Sequence, residues 1–277
     1  MNKKVYFIFL MVLIAFLVVS TVSAGVFDFF GGGNNSGAVS NNDNTLIVGF
    51  DANFPPYGFS VGRGEYMGFD LDLAQEVCNR NNWTLVKQPI DWSAKDSELN
   101  SGAIDCIWNG FSINGRENDY TWSNPYINNK QVFVVKSDSN INSLADLKGK
   151  NVEVQKGSSV SSALKGDNKT LADTFGRIVE VADYNSAILD LKVGHCDAVI
   201  LDSGVAQYQV NNGDHSGLKI INETVLSEQY GIGFKLGNTQ LKDQVQKTLD
   251  EMYADGTVSK IAENYSSYGV PESLIHK

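Results

Sequence analysis

The sequence predicts an α/β protein of two similar lobes, each built on a mainly parallel sheet, joined by two crossing strands and facing each other across a ligand cleft. Three observations carry that expectation. Apolar runs of strand length alternate twice with segments of helical period, in the order βαβαβ, which implies parallel strands joined by right-handed crossovers. The two sets echo each other: Leu99-Asn-Ser-Gly102-Ala-Ile-Asp105-Cys-Ile and Leu191-Lys-Val-Gly194-His-Cys-Asp197-Ala-Val each read as a helix end, a glycine stop and an aspartate before a buried strand. Gln131–Lys136 and Tyr230–Lys235 are apolar runs at the junctions, suited to strands that pass between lobes.

Met1–Gly25 has the form of a targeting segment, with Lys3 and Lys4 as the positive flank, Val5–Val19 as the apolar run and Val22-Ser23-Ala24 as a cleavage signal. The uncharged run from Val5 to Phe27 is also long enough to span a bilayer, so a cleaved leader and an uncleaved N-terminal anchor both stay open. Either way the folded part is expected outside the cytoplasm, touching a membrane only through this segment. No cysteine follows the small residues, which argues against an acylated anchor, and no second apolar run suggests a further span. Residues 26–44, with the run FGGGNNSGAVSNNDN, read as a flexible tether. The folded body is expected from Thr45, with residues 45–133 and 231–277 in one lobe and 134–230 in the other.

Leu46–Phe50 is a short apolar strand, followed by a loop carrying Asp51, Phe54, two prolines and Tyr57. Phe69–Asn81 sets Phe69, Leu71, Leu73, Ala74, Val77 and Cys78 at helical spacing with acids in the first turn, which favours a helix lying on the sheet. Trp83–Lys87 is the next strand, and a short helix from about Ser93 to Asn100 precedes the apolar run Ile104–Trp108. In the second set, Leu144–Gly149 reads as a short helix with a glycine stop, Asn151–Gln155 as a strand, and Lys156–Ser159 as a hydroxyl-capped turn opening a helix. Ile178–Val181 is a strand, Tyr184–Val193 a helix, and Ala198–Leu201 a strand ending at Asp202. Gln240–Tyr253 and Thr257–Tyr265 close the chain as amphipathic helices.

With 277 residues the chain has ample sequence for real cores, and its formal net charge of −10 argues against nucleic acid or an anionic membrane surface as a partner. Cys78, Cys106 and Cys196 are too few for a disulfide framework and read as buried hydrophobes, with a Cys78–Cys106 bridge as the lesser alternative. No cysteine or histidine pair has metal spacing, so neither a metal nor a cofactor is expected.

The chemistry concentrates in Ile104–Tyr126, IDCIWNGFSINGRENDYTWSNPY. A strand that breaks at Asn109–Gly110 into a polar turn presents Ser112 and Arg116 at the C-terminal edge of the sheet, where open α/β sheets bind ligands. A guanidinium can hold a carboxylate through two parallel hydrogen bonds, and the hydroxyl adds a donor. The plainer alternative is a surface arginine paired with Glu117 or Asp119.

Taken together, the opening strand with DANFPPYGF, then GFDLDLAQEV, DCIWNGFSINGRE with YTWSNPY, LADLKGKNVEVQKGSS, GHCDAVILD and MYADGTVSKIAENY resemble the family 3 extracellular solute-binding proteins over Thr45–Tyr268. These are the polar-amino-acid receptors of ABC importers. The resemblance implies a two-lobed periplasmic-binding-protein-like fold of type II that closes on a free polar amino acid. It also implies a monomer that hands its ligand to the permease subunits of an ABC transporter. By position, Arg116 would clamp the α-carboxylate with help from Ser112, Ser159 and the amides around Gly157, while Asn109 and Gly110 belong to the same binding set. Asp202 would receive the α-ammonium, Phe54 and Trp92 would stack on the ligand's side chain, and Asp51 would stand near its distal end. Ser112 and Arg116 are four residues apart where many relatives have five, which calls for a tighter turn through Asn114-Gly115.

Plainer roles compete at several of these positions. Asp202 is placed to cap a helix over Ser203–Gln209, Trp108 reads as core, Tyr57 as packing under the prolines and Ser158 as a turn former. The rival functions are an enzyme that dehydrates prephenate-like acids on the same fold, and a surface-held sensor. His195 sits at the start of a strand, away from the ligand edge, and His215 and His276 lie outside the motifs, which disfavours acid–base chemistry and leaves Glu65 and Glu117 as the groups an enzyme would use. Asn34, Asn82, Asn168, Asn222 and Asn264 are sequon candidates for glycosylation.

Overall fold

The computed structural model describes residues 44–212 and 217–275. The targeting segment, the tether up to residue 43, Asn34, His215 and His276 lie outside the described residues. The chain runs from β1 (Thr45–Phe50) into a small antiparallel sheet of β2 (Asn53–Phe54), β3 (Gly58–Gly62) and β4 (Glu65–Met67). Next come α1 (Phe69–Asn81), β5 (Thr84–Pro89), a 3-10 turn at Trp92–Ala94, α2 (Lys95–Ser101) and β6 (Cys106–Ile107). β1 pairs in parallel with β5 on one side and β6 on the other, as the first βαβαβ set requires. α1 buries Phe69, Leu71, Leu73, Ala74, Val77 and Cys78, the predicted stripe, and ends where Asn82 turns left-handed at φ 55°.

After β7 (Thr121–Trp122) the chain enters β8 (Ile127–Lys136), whose alternate residues serve two cores. Val132 and Val134 join the cluster that includes Phe50, Trp108 and Tyr230, while Phe133 and Val135 pack with Val152, Val154 and Ile200. Burial on both faces explains why this run is continuously β-branched instead of alternating. Then follow β9 (Asn151–Gln155), α3 (Ser159–Lys165), α4 (Lys169–Ala172), β10 (Arg177–Val181), α5 (Tyr184–Val193), β11 (Ala198–Asp202) and α6 (Ser203–Asn211). The chain closes with β12 (Leu218–Tyr230), β13 (Gly233–Phe234), α7 (Thr239–Ala254), α8 (Thr257–Glu263) and α9 (Val270–Ser273). One five-stranded sheet has the order β5-β1-β6-β13-β7 and the other β10-β9-β11-β8-β12. Two sheets with their helices thus make the two lobes, each with three parallel strands and antiparallel neighbours.

Several elements differ from expectation. The second crossing segment is not one strand over Tyr230–Lys235: a long β12 ends at Tyr230 in one sheet, and the two-residue β13 belongs to the other. β12 escapes a periodic reading because it shifts register between Ile221 and Thr224 and again between Thr224 and Leu226. β8 begins at Ile127, four residues before Gln131, because Asn129 and Gln131 are buried for their hydrogen bonds and not for apolar area. Leu144–Leu147 is only a 3-10 turn, closed by a capping box between Ser143 and Asp146. All three cysteines are free and buried, so the Cys78–Cys106 bridge does not form. No described helix is long and apolar enough to cross a membrane.

Candidate functional site

The stretch 109–116 is held in place from two directions. Gly110 takes φ 52°, and a Cβ there would meet the Phe54 ring at 2.5 Å and the Tyr230 ring at 3.2 Å. Its amide donates to Asp70 Oδ2 at 2.6 Å, and the Tyr126 hydroxyl donates to Asp70 Oδ1 at 2.9 Å, so the first turn of α1 fixes the turn after β6. Burial pushes the Asp70 carboxyl up to about 7. Asn109 Oδ1 accepts from the Asp51 amide at 3.1 Å, tying the ends of β1 and β6 together.

The tighter turn between Ser112 and Arg116 is a β-turn in which the Arg116 amide donates to the Ile113 carbonyl at 2.9 Å, with Gly115 at φ 79°. Half-buried Arg116 lies over the Phe111 ring at 5.1 Å and donates to the Ser112 carbonyl at 3.1 Å. Its other nitrogen crosses to the second lobe and donates to the Gly157 carbonyl at 3.1 Å. Neither Glu117 nor Asp119 forms an ion pair with it among the described residues. Lys95, which sequence reading passed over, is also buried beside Trp92 and donates to the Gly157 carbonyl at 3.4 Å. Burial and the neighbouring Arg116 charge lower its pKa.

From the second lobe, Ser158 caps α3 by accepting from the Ser161 amide at 3.1 Å while also bordering the cleft, and Ser159 faces Ser112 at 3.4 Å between hydroxyl oxygens. Asp202 stands at the start of α6, yet its side chain makes no capping bond. It accepts instead from Tyr230 Oη at 2.6 Å, Asn129 Nδ2 at 2.6 Å, Gln131 Nε2 at 2.8 Å and Tyr184 Oη at 3.3 Å. Burial first, and the nearby Glu228 charge second, push its carboxyl up to about 7.

These groups line one closed cleft between the lobes: Phe54, Trp92, Asn109, Gly110, Ser112 and Arg116 from the first, Gln155, Ser158, Ser159, Tyr184 and Asp202 from the second. The space left between them is about 20 Å³, room for a water-sized group, so anything larger needs the lobes to part. Two predicted residues do not line it. Gly157 contributes a carbonyl to Arg116 and Lys95, and Asp51 sits behind the wall, accepting from the Asn53 amide at 2.8 Å and from Gln155 Nε2 at 2.5 Å. Desolvation raises Asp51 to about 6, with Asp183 and Asp91 adding to the rise. Gln155 was missed although it ends β9 at the sheet's ligand edge, the signal that singled out Asp202. Tyr184 opens α5 and carries no such signal, because an aromatic at an amphipathic position reads as core. The arrangement offers the guanidinium of Arg116, the hydroxyls of Ser112 and Ser159, the buried carboxylate of Asp202 and the rings of Phe54, Trp92 and Tyr184 around one space.

A profile of the bacterial extracellular solute-binding proteins, family 3, matches residues 46–268. The chain is 28% identical over 227 residues to the L-cystine-binding protein TcyJ of Escherichia coli K12, covering 80% of this chain and 82% of that one. It is 29% identical over 237 residues to the arginine-binding extracellular protein ArtP of Bacillus subtilis, with 84% and 90% covered. The fold superposes on an ABC uptake transporter substrate-binding protein from Streptococcus pneumoniae with bound histidine at a TM-score of 0.77 and 31% identity, covering 80% of this chain and 92% of that one. The chain, whose two lobes close on the cleft just described, belongs to the bacterial extracellular solute-binding proteins of family 3.

Proposed function

We propose that the protein captures a free polar amino acid between its lobes outside the cytoplasm and delivers it to the membrane subunits of an ABC importer. The observation that carries this reading is the polarity of the cleft: Arg116 with Ser112 and Ser159 at one end and buried Asp202 at the other match the carboxylate and ammonium of one zwitterion. Because the two groups come from different lobes, a ligand that touches both stabilises the closed form by its differential affinity. Phe54 and Trp92 supply the flat apolar walls, while Asn109 and Gly110 shape the floor. Asp51 acts from behind the wall through Gln155, and the negative field it shares with Asp91 and Asp183 favours a ligand side chain that is cationic or rich in donors. Proteins similar to this one are named for cystine, arginine and histidine, which sets the range to be tested.

The two lobes are taken as residues 45–133 with 231–277 and residues 134–230, the monomer being the working unit, and residues 1–25 as the export signal or anchor. Binding proceeds without turnover: His195 is exposed, 3.0 Å from Asp190, and lines no part of the cleft. The test is thermal unfolding of the protein against the twenty amino acids, cystine, ornithine and prephenate. A ligand at a thousandfold excess over its Kd adds about 4 kcal/mol, so a true ligand stands out from the panel. A flat panel, or prephenate consumed with turnover, sinks the receptor reading.

A further inference from the structure

Glu228 stands behind Asp202, and the assigned function leaves it without a task. It lies on β12, 3% exposed, beside Asp202 at 4%. Strand register brings the pair together, since Asn129 on β8 faces Glu228 across one ladder and Gln131 faces Asp202 across the other. The Asn129 amide donates to Asp202 Oδ1 at 2.6 Å and to Glu228 Oε1 at 2.8 Å, and the Gln131 amide donates to the same two oxygens at 2.8 Å each. Two carboxylates therefore share the hydrogens of two neutral amides. Acceptors are in excess, because Glu228 Oε2 and Gln131 Oε1 are buried with no donor.

The groups facing the pair add no cation in contact with it. Tyr230 and Tyr184 donate to Asp202 alone, and Tyr57 packs edge-on against Tyr230. Arg116 is near enough to feel both acids, while Lys130 borders an outer groove with Glu228. Among the described residues no lysine, arginine or histidine lies within ion-pair distance of either acid. Two desolvated like charges bridged only by dipoles repel, so the pair calls for one neutralising charge. That charge is a proton or a ligand's ammonium.

We propose that Glu228 is a positioning residue for the ammonium subsite: acting on Asp202, it makes the buried pair hold one proton, which a ligand's ammonium displaces, so that capture releases one H⁺ per ligand. The inference rests on the reading of Asp202 as the ammonium acceptor. The ligand keeps its three ammonium protons, the carboxyl O–H bond breaks with its electron pair left on oxygen and its proton passed to the buffer base, and no other covalent bond changes. Acid then competes with the ligand for the pair, consistent with the raised titration of Asp202.

The test is calorimetric titration with the amino acid that the unfolding panel identifies, repeated in buffers of different ionisation enthalpy. Expected for the unaltered protein is release of about one proton per ligand at pH 6, little at pH 8.5, and a Kd that rises about tenfold per unit as the pH falls below 7. Glu228→Gln keeps a side chain of the same shape and removes one charge; it should lower the release at pH 6 and move the rise in Kd to lower pH, burial alone keeping part of the upward push on Asp202. Asp51→Asn, whatever it does to affinity, should still release the proton at pH 6. Heats at pH 6 that do not depend on the buffer, release that is undiminished in Glu228→Gln, or release that vanishes in Asp51→Asn each overturn the proposal. Where Glu228→Gln does not fold, absence of release in the unaltered protein, or its loss in Asp51→Asn, still overturns the proposal. Failure of every amino acid to bind overturns the receptor reading and this inference together, an outcome distinct from binding without release.

Discussion

At one end of the cleft Arg116 is half-buried, borne on a single contiguous stretch, and satisfied by two backbone carbonyls. At the other end Asp202 is sealed among Asn129, Gln131, Tyr184, Glu228 and Tyr230, which come from three different elements. The first end keeps a neutral hydrogen-bonded fallback for its charge. The second is 4% exposed, and its charge depends on what enters the cleft. On the proposed reading, the more complete desolvation of Asp202 makes the acid end contribute more to affinity, although burial also lowers the Arg116 pKa.

That contrast is broken most directly at the acid end. Asp202→Ala removes the buried acceptor and should weaken ligand binding by about 4 kcal/mol, roughly a thousandfold in Kd by titration calorimetry. Arg116→Ala should lose about 3 kcal/mol, roughly a hundredfold, and Arg116→Lys about tenfold, because a lysine keeps charge but not the two-pronged geometry. An arginine variant that loses more than the aspartate variant would reverse the ranking and with it the desolvation argument.

The scaffold gives smaller effects. Gly110→Ala must place a Cβ 2.5 Å from the Phe54 ring at a left-handed φ, and should cost about 2 kcal/mol of stability, a fall in Tm of about 4–8 °C. An unchanged melting curve would mean that Phe54 moves aside freely. The pH dependence is subtler. Asp70 titrates at about 7 in the folded protein against 3.8 ordinarily, so its protonated form favours folding; that contribution is complete below about 3.8 and lost as the pH rises through 7. Unfolding scans of the ligand-free protein should therefore show stability declining from pH 5 to 8, and Asp70→Asn should flatten the slope without abolishing it, since Asp51 and Asp202 titrate in the same direction. A slope untouched by Asp70→Asn would assign it to the cleft alone.

Much of the cation end was legible. Ser112 and Arg116 share one polar turn after an apolar run, and Trp92 and Phe54 sit at strand mouths, so strand-end logic reaches them. The same logic reaches Asp202 but not its environment. Asn129 and Gln131 flank an apolar run that predicts only a crossing strand, and Glu228 lies in a segment whose bulges erase its period. Lys95 follows a 3-10 turn in a stretch of mixed polarity, where nothing marks one lysine for burial.

The alternation of strand and helix patterns, the glycine stops and the β-branched run of β8 were determined by local chemistry, because periodicity and backbone preference act over a few residues. They were enough for an α/β protein of two lobes and for the side chains at strand ends. The pairing of β8 with β11 and β12 was decided only in three dimensions, and with it the meeting of Asp202 and Glu228, 26 residues apart, over two amides some 70 to 100 residues away. Register sets which polar groups share a hydrogen bond and which charges lose their water, and no local pattern in the chain encodes it.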